Sequence, residues 1–277
     1  WRKINDQYVP LSWNEVRRKV EAFSSALKNV GILEGDRVVI VSENRPEWQI
    51  ADLSIMTIGA ITVPAYITST TNDYEYIIKH SGARCVIVSS HVLAKKVLPA
   101  VANSPKCQTV IKLDEDTENY DLPVSIHSYY ELILESGRDS TNLVNLSECI
   151  NKHKRKDTAC IIYTSGTGGN PKGVMLSHGA MLTNCAGAAH LLKDIISGLD
   201  EIRILSWLPL SHSYEHTLQF YKMGIGAQIY YAEGIDKLLV NMAEAQPHIM
   251  TAVPRFYDSL HTRISQGLKK QSKVSQF

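Results

Sequence analysis

The sequence predicts an α/β protein made of two layered lobes, and three observations carry that reading. Short β-branched runs alternate with longer helical patterns along the chain, the signature of strands covered by helices. A loop rich in glycine, serine and threonine directly follows one apolar run, at 164–173. A break at Ser197-Gly198 is followed by a fresh alternation, which sets the lobe boundary there.

In order along the chain, a helix is expected over 12–29, stopped by Gly31. Arg37-Val38-Val39-Ile40-Val41-Ser42 reads as a buried strand. Asn44 is placed to cap the next helix, with Pro46 in its first turn and Glu47 at the positive end of its dipole. Ile61-Thr62-Val63-Pro64 is a second strand, and 73–80 is a helix ending at Ser81-Gly82. A third strand at 84–89, a helix at 91–102 and a fourth strand at 109–113 follow. Residues 114–157 are polar and irregular apart from a helix at 128–135. Then come a strand at 158–163, the loop, a short strand at 174–176 and a helix at 179–192, with Lys193 at its negative end. In the second lobe, strands at 203–207, 227–231 and 248–251 alternate with helices at 213–223, 235–245 and 254–266.

Bulk properties exclude several classes. With 277 residues, 44% of them hydrophobic, the chain can bury a large core as one big domain or two small ones. A net charge of +1 gives no overall field toward nucleic acid. The basic cluster Lys152-His153-Lys154-Arg155-Lys156 has no interleaved aromatic residues for base stacking and reads as a solvated loop ahead of a strand. Five scattered cysteines form no Cys-x-x-Cys pair, which fits a reducing, cytoplasmic setting without disulfides or zinc, and Cys85 and Cys160 read as small core residues. The most apolar helix, 48–60, is interrupted by Gln49, Asp52, Ser54 and Thr57, so no membrane span is expected. The amino-terminal residues lack a signal peptide's apolar core and an initiator methionine, so the chain reads as starting inside a longer protein.

The chemistry concentrates in Thr164-Ser165-Gly166-Thr167-Gly168-Gly169-Asn170-Pro171-Lys172-Gly173. Such a loop turns backbone N–H groups, hydroxyls and one cation toward a common point, which suits polyphosphate. It is not a Walker A loop, because the sixth position from Gly166 is Pro171 and Lys172 precedes Gly173 rather than Ser or Thr. The order resembles the phosphate-binding signature of the acyl-adenylate-forming (AMP-binding) synthetases, Thr-Ser-Gly-Thr-Thr-Gly-x-Pro-Lys-Gly. Gly168 departs from it by standing where a second threonine is usual, which removes one hydroxyl.

The resemblance extends over the chain. Gly35-Asp36-Arg37-Val38, Ser42-Glu43-Asn44-Arg45-Pro46-Glu47-Trp48 and Gly59-Ala60-Ile61-Thr62-Val63-Pro64 are similar to the family's opening strands and helix. Leu208-Pro209-Leu210-Ser211-His212-Ser213-Tyr214-Glu215-His216 resembles the motif whose histidine lies near the acyl-adenylate. Ala252-Val253-Pro254-Arg255-Phe256-Tyr257 is similar to a segment of the long-chain fatty-acid–CoA ligases.

This resemblance implies the two α/β lobes of the adenylate-forming N-terminal domain, truncated. Residues 1–36 would pack with the second lobe, 37–198 would form the first lobe with the phosphate loop, and 199–277 an incomplete second lobe. It implies ATP, Mg2+ and CoA as the small molecules and a fatty acid as substrate. Thr164, Ser165, Gly166, Thr167, Gly168, Gly169 and Lys172 would hold the nucleotide phosphates, and Thr167 would be the metal contact. Lys172 and His212 would be the catalytic residues, and His212, Tyr214, Glu215 and His216 the substrate pocket. For His212 a packed, hydrogen-bonded side chain is the alternative, and for Arg255 a structural ion pair. The family's later motifs lie beyond Phe277, so this piece alone is expected to be inactive. Peripheral membrane association and oligomerisation stay open, as do transfer to a carrier protein in place of CoA and a non-catalytic nucleotide- or acyl-binding module.

Overall fold

The computed structural model describes residues 1–115, 122–138, 143–164 and 170–270. A short antiparallel hairpin, β1 (Arg2–Ile4) and β2 (Gln7–Val9), opens the chain and leads into α1 (Trp13–Asn29). Ser12 and Glu15 close a capping box at the start of α1, satisfying two otherwise orphaned N–H groups. The elements β3 (Arg37–Val41), α2 (Pro46–Thr57), β4 (Ile61–Ala65), α3 (Thr71–Ser81), β5 (Cys85–Val88), α4 (His91–Ala102) and β6 (Thr109–Lys112) then alternate. They are followed by β7 (Ser125–Ser128), α5 (Tyr129–Arg138), α6 (Leu146–Ile150), β8 (Thr158–Thr164), β9 (Lys172–Ser177) and α7 (His178–Ile196).

The strands form one sheet in the order β7-β6-β5-β3-β4-β8-β9, parallel throughout except for the antiparallel β8–β9 pair. Helices cover both of its faces, so its central strands read as unbroken apolar runs rather than alternating ones. Val38, Ile40, Cys85, Ile87 and Ile111 pack under α1, α2 and α5. Val39, Val41, Val86, Val88 and Val110 pack under α3 and α4. The first set and the second alternate along each strand, as a pleat requires.

A second, three-stranded parallel sheet has the order β11-β10-β12, with β10 (Arg203–Ser206), β11 (Gln228–Tyr231) and β12 (Ile249–Met250). Its helices are α8 (Ser213–Gly224), α9 (Leu238–Ala245) and α10 (Pro254–Lys270). No helix among the described residues is long and apolar enough to cross a membrane, and all five cysteines are free thiols.

Of residues 1–36, the hairpin meets β11, where Trp1 stacks on Tyr230 and the Tyr231 N–H donates to the Trp1 carbonyl. Helix α1 buries Val20, Phe23 and Leu27 in the core beneath α2 and α5, and Ile229 and Tyr231 of β11 belong to the same core. Three expectations need correction. Asn44 does not cap α2, whose N-cap is Arg45 with no side-chain cap bond. Its amide instead donates to the Leu208 carbonyl at 2.7 Å and accepts from the Leu210 N–H at 3.2 Å, tying the two sheets together. The stretch expected to be irregular holds β7 and α6, an edge strand and a short helix whose polar residues give no periodic signal. Lys172 and Gly173, expected in the loop, already belong to β9.

Candidate active site

Because β8 runs parallel to β4, its last residue, Thr164, emerges at the same edge as the carboxyl ends of β3, β4, β5 and β6. Ligands of open α/β sheets bind at that edge. Thr164 pairs with Lys172 as the last rung of the β8–β9 ladder, and both are exposed. The loop between them therefore begins and ends on a fixed rung. Ser165, Gly166, Thr167, Gly168 and Gly169, the expected nucleotide ligands together with the expected metal contact, lie outside the described residues.

The hairpin is anchored from below. Tyr76 donates its hydroxyl to the Pro171 carbonyl at 3.0 Å, and the Tyr163 hydroxyl lies 2.8 Å from Nδ1 of His80, both partners coming from α3. Burial pushes the Tyr163 phenol up to about 12, which keeps it a proton donor at neutral pH. Gly173 is required by space. A Cβ there would stand 2.9 Å from Cγ2 of Ile161 and 3.3 Å from Cζ of Tyr163.

The His212 motif reaches the same edge through Asn44. This residue follows β3 by three positions, and its two bonds to Leu208 and Leu210 pin the turn that precedes α8. His212 is the N-cap of α8 and is exposed, with Nδ1 accepting from the Tyr214 N–H at 3.2 Å. An accepting Nδ1 puts the proton of the neutral ring on Nε2, free to donate outward.

The four expected pocket residues separate. Tyr214 is half exposed, while Glu215 and His216 are fully buried. The 3.6-residue period of α8 turns these two inward. Glu215, Gln219 and Lys222 fall on one inward stripe. Glu215 accepts from the Ser206 hydroxyl at 2.8 Å, from the Thr251 hydroxyl at 3.0 Å and from the Lys222 ammonium. Burial lowers the Lys222 pKa, and the adjacent Glu215 opposes that shift. Gln219 donates to the Tyr231 hydroxyl at 2.6 Å. His216 points at α2 instead, with Nε2 at 2.9 Å from Oδ2 of Asp52 and its ring set edge-on to Trp48.

The other stripe of α8 borders a groove of about 710 Å³ shared with α7. Leu176, Ala188, Leu191, Tyr214, Leu218 and Tyr221 are among its walls. Its Tyr214 end adjoins His212. A larger hollow of about 1030 Å³ between α1, α5 and α6 is lined by none of the motif residues.

Sequence reasoning missed Asn44 as a cross-link, and Asp52 and Lys222 as buried partners. Asp52 carried a usable signal, since a carboxylate in an otherwise apolar helix demands a partner. Among the described residues, no group of three or more His, Cys, Asp or Glu side chains is arranged to hold a metal ion.

A parallel-rich sheet with this loop at its carboxyl edge, and a histidine-capped helix pinned beside it, is the fold of the N-terminal domain of adenylate-forming enzymes. The adenylation domain of a carboxylate reductase from Mycobacterium chelonae superposes with a TM-score of 0.82 at 18% identity, over 96% of this chain and 42% of that one. The chain belongs to the AMP-binding enzyme family, which matches residues 2–276. Among curated relatives, a peroxisomal long chain acyl-CoA synthetase of Arabidopsis thaliana is 29% identical over 97% of this chain and 37% of its own length. A chloroplastic long-chain-fatty-acid–[acyl-carrier-protein] ligase from the same plant is 25% identical over 99% of this chain and 38% of its own. The chain thus spans about two fifths of the length of the curated relatives it matches.

Proposed function

We propose that the whole protein activates a long-chain fatty acid with ATP and transfers the acyl group to CoA. The observation that carries this reading is the convergence at one sheet edge of the Thr164–Lys172 rung and the His212 turn, with an apolar-walled groove starting beside His212. A carboxylate resists attack by a thiol because its charge repels the nucleophile and oxide does not leave. Attack of the carboxylate on the α-phosphorus of ATP yields an acyl-adenylate and pyrophosphate, and the CoA thiol then displaces AMP.

In the first step, Lys172 and the hydroxyls of Thr164, Ser165 and Thr167 offset charge on the departing pyrophosphate. Thr167 is the proposed contact to a magnesium ion carried by the nucleotide. His212 donates from Nε2 to the carboxylate region and orients it. It need not act as a base, since the acid is already ionised near neutral pH. Tyr214 lines the mouth of the acyl groove. We read 37–198 and 199–277 as the two lobes, and a cytoplasmic location fits the free thiols.

Similarity to an acyl-carrier-protein ligase supports one alternative, the same adenylation with a carrier phosphopantetheine as acceptor. Acid-dependent pyrophosphate exchange by the full-length protein tests the reading. Exchange with long-chain acids, followed by AMP release on adding CoA, is expected. Release only with carrier protein favours the alternative, and no exchange with any fatty acid overturns both.

A further inference from the structure

The turn before His212 is held from the other sheet at two points. Asn44, in the connection from β3 to α2, donates from Nδ2 to the Leu208 carbonyl at 2.7 Å and accepts at Oδ1 from the Leu210 N–H at 3.2 Å. These bonds fall on either side of Pro209, whose own carbonyl accepts from the His212 N–H at 3.0 Å. A longer bond of 3.4 Å runs from the same Nδ2 to the Ser206 hydroxyl at the end of β10. Leu208 and Leu210 are buried, and Leu210 packs in one core with Val38, Ile40 and Trp48, whereas His212 is exposed.

Two features of this contact point to a role in orientation. First, a carbonyl only accepts and a backbone N–H only donates, so meeting both from one short side chain takes a donor and an acceptor side by side. The Asn amide has them. An Asp would keep the acceptor but set a carboxylate oxygen against the Leu208 carbonyl, and a Gln would carry its amide one methylene too far. Second, burial of Leu208 and Leu210 is non-directional and holds the turn down without fixing its path. Two directed bonds two residues apart fix that path, and with it the direction in which the His212 ring leaves the backbone. The phosphate hairpin is held separately, by Tyr76 and His80 of α3, and shares no hydrogen-bond partner with Asn44.

Resting on the reading that His212 orients the substrate carboxylate, we propose that Asn44 is a positioning residue for adenylate formation and acts through His212. It sets where Nε2 of that ring points, and so bears on the acid and not on the nucleotide.

The test is a double-mutant cycle of Asn44→Ala and His212→Ala in the full-length protein, read by pyrophosphate exchange. Asn44→Ala is expected to lower kcat/KM for the acid roughly ten- to a hundredfold, the scale of a misplaced reacting group, with the KM for ATP unchanged. The double variant is expected to match His212→Ala within about twofold, because the residue that Asn44 acts through is already gone. Loss of folded protein would instead multiply the two effects, so instability does not imitate the expected result. Asn44→Asp, which keeps the size of the side chain and its bond from the Leu210 N–H, runs through the same cycle and decides the matter if the alanine variant does not fold. Exchange at the parent rate in His212→Ala defeats the underlying reading of that histidine. With His212→Ala slowed, three results overturn the Asn44 proposal alone: losses that multiply in the double variant, parent-like exchange in the Asn44 variants, or a rise in the KM for ATP that matches the fall for the acid.

Discussion

The loop end of β8–β9 and helix α8 both carry polar motif residues, yet they dispose of them in opposite ways. At the loop end, Thr164 and Lys172 stand exposed on the last rung of a hairpin. In α8, Glu215 and His216 are fully buried and Lys222 is 1% exposed, each with named partners on another element or one another. Polar groups kept in solvent cost the fold little and are available to a ligand. Polar groups sealed in the interior stabilise one arrangement of the two sheets and are unavailable to it. Adjacent residues of a single motif, His212 through His216, thus divide between surface and interior.

The largest effect is expected where the buried pair is broken. Lys222→Met leaves the Glu215 carboxylate without its cation, and loss of one partner of a buried ion pair costs about 3–5 kcal/mol. Urea unfolding should show that loss, and the double variant Glu215→Leu/Lys222→Met should recover most of it. Equal midpoints for the parent and Lys222→Met would put the ammonium in solvent and erase the contrast. Gly173→Ala is expected to come next, at about 1–3 kcal/mol, because its new Cβ overpacks the branched Ile161 side chain. A neutral outcome there would mean that the hairpin yields easily and that Gly173 serves the loop's conformation instead.

Acid sharpens the same contrast on a smaller scale. Burial alone would raise the Glu47 carboxyl, but Arg45 and Arg2 beside it outweigh that and hold it below the ordinary 4.5. A depressed carboxylate contributes stability that is present above pH 4.5 and is lost as pH falls through its lower folded value. Urea midpoints measured from neutral pH downward should therefore fall below that point, with a shallower fall in Glu47→Gln. An identical slope in that variant would assign acid sensitivity to other groups.

What the sequence made legible follows the same division. The central strands were plain because they are apolar on both faces, and α1 was plain because its stripe and caps agree. The loop stands out as ten consecutive residues of ordered chemistry, of which 165–169 lie outside the described residues. Asn44 was misread because an Asn ahead of Pro46 looks like a cap, and only the tertiary contact with Leu208 and Leu210 shows otherwise. The burial of Glu215 and His216 was not legible from their place beside His212, because each step along a helix turns by about 100°. The partners that decide their fate, Asp52, Ser206 and Thr251, lie on three other parts of the chain.

The most direct test sets Lys172→Ala in the full-length protein against its parent, reading both melting temperature and pyrophosphate exchange. The exposed lysine is expected to change stability by no more than about 0.5 kcal/mol, as surface substitutions do. Exchange is expected to slow roughly ten- to a hundredfold, the loss of one charge-assisted contact of about 1.5–3 kcal/mol. Exchange at the parent rate, or a large fall in melting temperature, would contradict the claim that this end of the sheet is kept for the nucleotide and not for the fold.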